Sequence, residues 1–266
     1  MYVRESHPMD DPNPNEPFLN GLATIGTMVI RFTNWLASID WVEVVNTFND
    51  AVRRHVEAGR KLAMKGWTIP AWMGISEPLE LCEMSEAELD TFFTAEFTKD
   101  DYRILRERIG ELISYGEMLK WTPLLEEVQD SIIEGRHRIA IPALMTILEG
   151  YAVSEVLRAD GNDVRKTDLF KLFEKIELHK ADDLRAMPAI SNLTFLQMLF
   201  EPHPFDQAAP ERINRHWVMH GRADCDWTPA DAFRLINALE TLHWLWEHLW
   251  SEHWAFARAS MSEDTK

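Results

Sequence analysis

The chain has 266 residues, 46% of them hydrophobic, including 11 tryptophans, and a formal net charge of −17. This apolar content can build a core and excludes a disordered chain. The negative charge excludes a broad nucleic-acid-coating surface, which needs many Lys and Arg contacts.

Residues 1–17 are polar and carry Pro8, Pro12, Pro14 and Pro17, so they read as a flexible tail. No signal peptide opens the chain, and the expected compartment is the cytoplasm. Cys82 and Cys225 are too few for a disulfide framework or a four-thiolate zinc site, and read as reduced thiols.

Phe18 to Ile39 is the most apolar stretch, with Leu19, Leu22, Ile25, Val29, Phe32, Leu36 and Ile39 at helical spacing. A membrane span needs ~20 nearly uninterrupted apolar residues, and Asn20, Arg31 and Asn34 interrupt this one. It is expected to be a buried helix, with no membrane partner; a membrane role is the lesser alternative.

Asp40 with Glu43 forms a capping pair for a helix to about Lys65, stopped by Gly66. Residues 67–84, with Trp67, Pro70 and Pro78, form a connector that packs aromatics. Ser85 and Glu88 repeat the capping pattern before a helix over 87–97, and a further helix covers 100–113. A boundary near 114–122 separates an N-terminal helical region, 18–120, from a C-terminal helical domain, 121–266.

Thr122-Pro123 opens a helix to about Glu134. The next runs from His137 to about Arg158, with Pro142 near its first turn. A turn at 160–163, helices at 168–178 and 191–200, and a loop at 201–209 follow. Thr228-Pro229-Ala230-Asp231 supplies an N-cap, a first-turn proline and an acid for the helix dipole, opening a last helix to about Ala259. No strand pair is evident, so the expected class is all-α.

Between the loop and the last helix lie residues 210–222, a cluster of cations in an acidic chain. Pro210 suits a helix start and Gly221 a left-handed stop. On a helical wheel Arg212, Arg215, His216 and His220 share a polar face, while Ile213, Trp217 and Val218 take the other side. Guanidinium groups bind phosphate with a planar fork. Histidine is the side-chain type that exchanges protons near neutral pH.

Arg215-His216-Trp217-Val218-Met219-His220 resembles the Arg, polar residue, three residues, His signature of the HEPN superfamily, small all-helical domains of which many cut RNA in toxin–antitoxin, phage-defence and CRISPR systems. The context is similar as well: Ile139 to Gly150, then Asn214-Arg-His-x-x-x-His-Gly221, then a long final helix, resembling uncharacterised bacterial HEPN-like proteins over residues 121–260. Gly66-Trp67-Thr68-Ile69-Pro70 is reminiscent of their N-terminal half. The polar position is His216, where Asn or Asp is more usual.

The resemblance implies a HEPN-like bundle and a metal-independent endoribonuclease without cofactor, expected as a toxin or defence effector. The substrate's 2′-hydroxyl attacks the adjacent phosphate, leaving a cyclic phosphate and a free 5′-hydroxyl. His220 would move the proton, Arg215 would stabilise the phosphate, and His216 would orient it or assist. Arg212, Arg222 and Asn214 are the candidate substrate contacts. The implied partners are RNA, a second copy whose motif faces the first, and an antitoxin protein. The alternative is a catalytically inactive HEPN-like module binding RNA, a nucleotide or a protein.

Other uses of these residues were open. Arg and His on a helix face are often mere surface. His216 and His220 could pair on a metal, but no Glu follows His216 and no third ligand is evident, so no metal site is expected. Glu149 could approach the site and orient His220. The apolar stripe of the last helix, Leu242, Leu245, Trp246, Leu249 and Phe256, reads as core or dimer interface.

Overall fold

The computed structural model describes residues 28–70, 72–153, 186–245 and 247. The tail at 1–17, the turn at 160–163, the helix expected at 168–178 and the last helix beyond 247 lie outside these. The described chain is all-helical: helices over 28–38 (α1), Trp41–Met64 (α2), Glu77–Leu81 (α3), Glu86–Ser114 (α4), Thr122–Ile133 (α5), His137–Tyr151 (α6), Ala186–Phe200 (α7), Arg215–Met219 (α8) and Pro229–Leu245 (α9), with a 3-10 turn at Gly116–Trp121. None is long and apolar enough to cross a membrane.

Local chemistry sets most helix ends. The Asp40 carboxylate accepts from the backbone N–H groups of Val42 and Glu43. Ser85 and Glu88 form a reciprocal capping box. The N–H and hydroxyl of Thr228 both donate to Asp231. Gly66 ends α2 at φ +88°, a left-handed conformation that costs a residue with a Cβ. The two helices expected at 87–97 and 100–113 form one run, α4, broken at Lys99–Tyr102, where Asp100, Asp101 and Tyr102 all have positive φ. A short helix, α3, interrupts the connector.

The chain divides into two compact units, residues 1–49 and 50–266, so α2 contributes to both. Sequence reading put a boundary near 114–122; α4, which precedes it, packs on both α5 and α9, which follow it. In the first unit, the expectation of a buried helix at 18–39 fails for its described part. Val29 and Phe32 are exposed, as are most residues of α1.

In the second unit α9 is the centre. It packs on α4, α6 and α7, and its residues Ala232–His243 are all buried. Leu242 and Leu245 are therefore core; the rest of the expected stripe lies outside the described side chains. Polar groups on α9 are matched individually. Asn237 donates to the Thr68 carbonyl at 2.7 Å, and Thr241 to the Ile69 carbonyl at 3.0 Å. His243 Nδ1 lies 2.7 Å from the Tyr151 hydroxyl. Unpaired polar groups in a core are costly, so these bonds also fix the register of α9.

Glu240 is matched on one side only. It is buried, Arg108 reaches one of its oxygens at 3.2 Å, and the other oxygen has no hydrogen-bond partner. Burial pushes its carboxyl from the ordinary 4.5 up to about 7, against the pull of Arg108 and with Glu111 adding to the rise. Between those values the folded state holds a proton that the unfolded chain has released, so stability falls as pH rises through that window. The loss is about 3 kcal/mol at ~1.4 kcal/mol per unit. Glu240→Gln is expected to flatten this dependence and raise the melting temperature at pH 8, since Arg108 keeps Glu111 at 2.6 Å. Thermal unfolding from pH 4.5 to 8 tests it; an unchanged slope in the variant rules it out.

Candidate functional site

The Arg/His segment is not the three-turn helix expected from Pro210. Residues 210–214 are non-helical and α8 is five residues long. The physical reason is Asn214. Its side-chain oxygen accepts from Trp217 N–H, capping α8, and its amide donates to the Glu201 carbonyl at 3.0 Å. An asparagine that can close the first turn is a stronger start than a proline four residues earlier. Gly221 ends the segment at φ +65°, as expected.

This redistributes the cations. Arg212, outside the helix, forms a bidentate pair with Glu86 of α4, at 3.1 and 2.6 Å. The Glu86 carboxyl is held below its ordinary range chiefly by that bond. Arg215 points to α6, where Nε and Nη2 both lie 2.6 Å from one oxygen of Glu149. Glu149 thus reaches the segment as the sequence suggested, but its partner is Arg215. Asn214 is buried as a cap.

His216, His220 and Arg222 converge, and Phe205 joins them. The Phe205 ring stacks on His216 with centroids 4.5 Å apart and planes 4° from parallel. It meets His220 edge-on at 5.7 Å, and the Arg222 guanidinium lies 5.0 Å from its centroid. The two imidazoles meet at 4.7 Å and 67°. His220 is exposed and His216 half-buried. Residues five apart on a helix diverge by ~140°, so Arg215 faces α6 while His220 faces this cluster.

Phe205 was missed because nothing periodic marks it: it is an aromatic residue in a proline-bearing loop. That loop is tied down by Asn214 and by Trp217, whose indole N–H donates to the His203 carbonyl at 3.0 Å. Phe205→Leu is expected to remove the ring-current shift on the His216 ring protons while the fold is retained. An NMR spectrum of the histidine protons decides this; unmoved His216 signals would mean that the stack is absent in solution.

Beneath α8 lies a cleft of about 320 Å³ whose lining includes Glu86, Asp90, Arg212, Asp231 and Arg234. Arg234 joins Asp231 at 2.7 Å, Asp90 at 2.5 Å and Glu86 at 3.2 Å. The cations here are already neutralised, so the cleft offers no charge to a phosphate. Among the described residues no group of three His, Cys, Asp or Glu is placed to hold a metal ion. Cys225 is exposed and Cys82 buried, both as free thiols. Comparison of the chain with protein-family models, with curated proteins and with solved structures finds no match.

Proposed function

We propose that the chain is a metal-independent endoribonuclease of the HEPN type, acting through the His216/His220 face. The observation that carries this is the pair of imidazole rings 4.7 Å apart, with His220 open to solvent and Arg222 beside it. Two such groups supply a base and an acid to one reaction. His220 takes the proton of the 2′-hydroxyl as its oxygen bonds to phosphorus. The bond from phosphorus to the 5′-oxygen breaks, and His216 gives that oxygen a proton. The products are a 2′,3′-cyclic phosphate and a 5′-hydroxyl.

Arg222 attracts the phosphate. Arg215 stabilises the charge that develops on it, from a second copy whose motif faces the first, once the phosphate replaces Glu149 as its partner. In a cell such an enzyme would act as a toxin or defence effector held by an antitoxin protein.

One observation favours a second reading, a catalytically silent module that only binds RNA, a nucleotide or a protein. Arg215 is already paired with a carboxylate of its own chain, so phosphate must compete for it. The deciding experiment incubates the full chain with RNA in EDTA and maps the product ends. Cyclic phosphate and 5′-hydroxyl ends support the enzyme. Intact RNA at high protein concentration overturns it, and RNA retained without cleavage then supports the module.

A further inference from the structure

The second unit holds a cavity that the RNA chemistry does not use. It has a volume of about 250 Å³ and lies between the ends of α4 and α9. Its lining follows two helical faces. Arg108, Glu111 and Tyr115 stand at i, i+3 and i+7, and Glu240, Trp244 and Glu247 at i, i+4 and i+7. Residues at these spacings share one side of a helix, so two such sides confront each other across the space.

The charge decides the class of occupant. Arg108 reaches Glu111 at 2.6 Å and Glu240 at 3.2 Å, and Glu247 adds a third carboxyl group. Three carboxyl groups therefore meet one guanidinium. Burial, and then the negative charge of Glu247 and Glu111, holds the Tyr115 phenol above its ordinary range, so Tyr115 adds no positive charge to offset the acids. Such an excess repels an anion. Among the described residues no group of three His, Cys, Asp or Glu is placed to hold a metal ion. The excess is best met by an organic cation.

Burial decides the contact. The Glu240 side chain is 7% exposed, and its second oxygen has no hydrogen-bond partner. An acceptor left so in a core is costly. An ammonium brings three N–H donors on a compact charge, and its bond to a carboxylate is of the strong, charge-assisted kind. The rings of Tyr115 and Trp244 suit a cation and its alkyl chain. Tyr115 is held at 4.0 Å from the His243 ring. The cavity is below the ~300–1,000 Å³ of sites for drug-sized ligands, so the occupant is small. Glu240 and Glu247 are seven residues apart, ~10 Å along a helix, which leaves room for two ammonium groups.

We propose that this cavity binds a small alkyl amine, one ammonium group donating to Glu240 and the alkyl chain lying against Tyr115 and Trp244. This binding does not depend on RNA cleavage. The test is isothermal titration calorimetry of the full chain with 1,4-diaminobutane, without RNA. It is run at pH 8, where Glu240, with its carboxyl at about 7, is mostly ionised. One site is expected, with a Kd no weaker than about 1 mM. Glu240→Gln keeps the size of the side chain and is expected to weaken binding about 10-fold or more, the worth of a hydrogen bond to a charged group. Glu247→Gln, at the partly exposed rim, is expected to weaken it as well, and serves if the first variant misfolds. Glu126→Gln, at an exposed acid in the second unit, leaves it unchanged. Absence of saturation by about 10 mM diamine overturns the proposal, as does a folded Glu240→Gln variant that binds as well as the wild type. Tetramethylammonium, which has no N–H, is expected to bind far more weakly. Equal affinity for it overturns the bond to Glu240, and displacement of the diamine by magnesium chloride at equal concentration overturns the proposal in favour of a metal site.

Discussion

His220→Ala is expected to lower RNA cleavage by about 10²- to 10⁴-fold, the range over which a positioned general base or acid acts, while RNA affinity changes little. The side chain is suited to this test because it is exposed at the end of α8, where truncation leaves no buried cavity. Its loss therefore reports on chemistry and not on folding. His216→Ala is a less clean companion, since it also removes the ring stacked on Phe205. Cleavage rates with a defined oligonucleotide, with melting temperatures of both proteins, provide the check. A variant that cleaves within a factor of about three of the wild type excludes His220 as the proton-transfer group.

The second large effect is on stability. Arg234→Met is expected to cost about 3–5 kcal/mol, the range for removing one partner of a buried ion pair. The Arg234 side chain is 8% exposed and serves Asp231, Asp90 and Glu86 together. Methionine keeps much of the stem but leaves Asp90 and Asp231 without that cation, and Glu86 with Arg212 alone. Trp67 would lose the guanidinium 5.4 Å from its ring. At ~2–4 °C per kcal/mol for a chain of this size, melting falls by about 10 °C. The cost shrinks at low pH, where the stranded carboxylates take up protons. A fall of less than about 3 °C at pH 7.5 would mean that the three acids are solvated well enough to need no cation.

This network explains why Gly66 does more than end a helix. A Cβ there would lie 3.0 Å from Arg234 Nε, so the glycine that ends α2 also admits the guanidinium to its carboxylates. Only the helix stop was legible in the sequence. Arg234 is 168 residues further on, and nothing local to either residue announces the other.

The caps were legible for the opposite reason. Asp40, Ser85 and Asp231 act on backbone groups within three residues, so the pattern of side chains along the chain contains the whole interaction. The all-α class followed from the same local signals. Residues 210–214 went wrong because the wheel assumes that the helix has already begun. Asn214 begins it later, and one of its bonds reaches back to Glu201 in a loop without periodicity.

By itself, then, the sequence determined the helical class, the main helix ends and the presence of Arg215, His216 and His220 in one segment, because propensity and capping are short-range. Tertiary structure alone decided what those side chains meet. It sent Arg212 to Glu86 and Arg215 to Glu149, and it brought Phe205 and Arg222 to the two histidines. It also left the apolar residues of α1 exposed. Such partners arise where separate elements pack, and periodicity within one element carries no information about which surface will lie opposite.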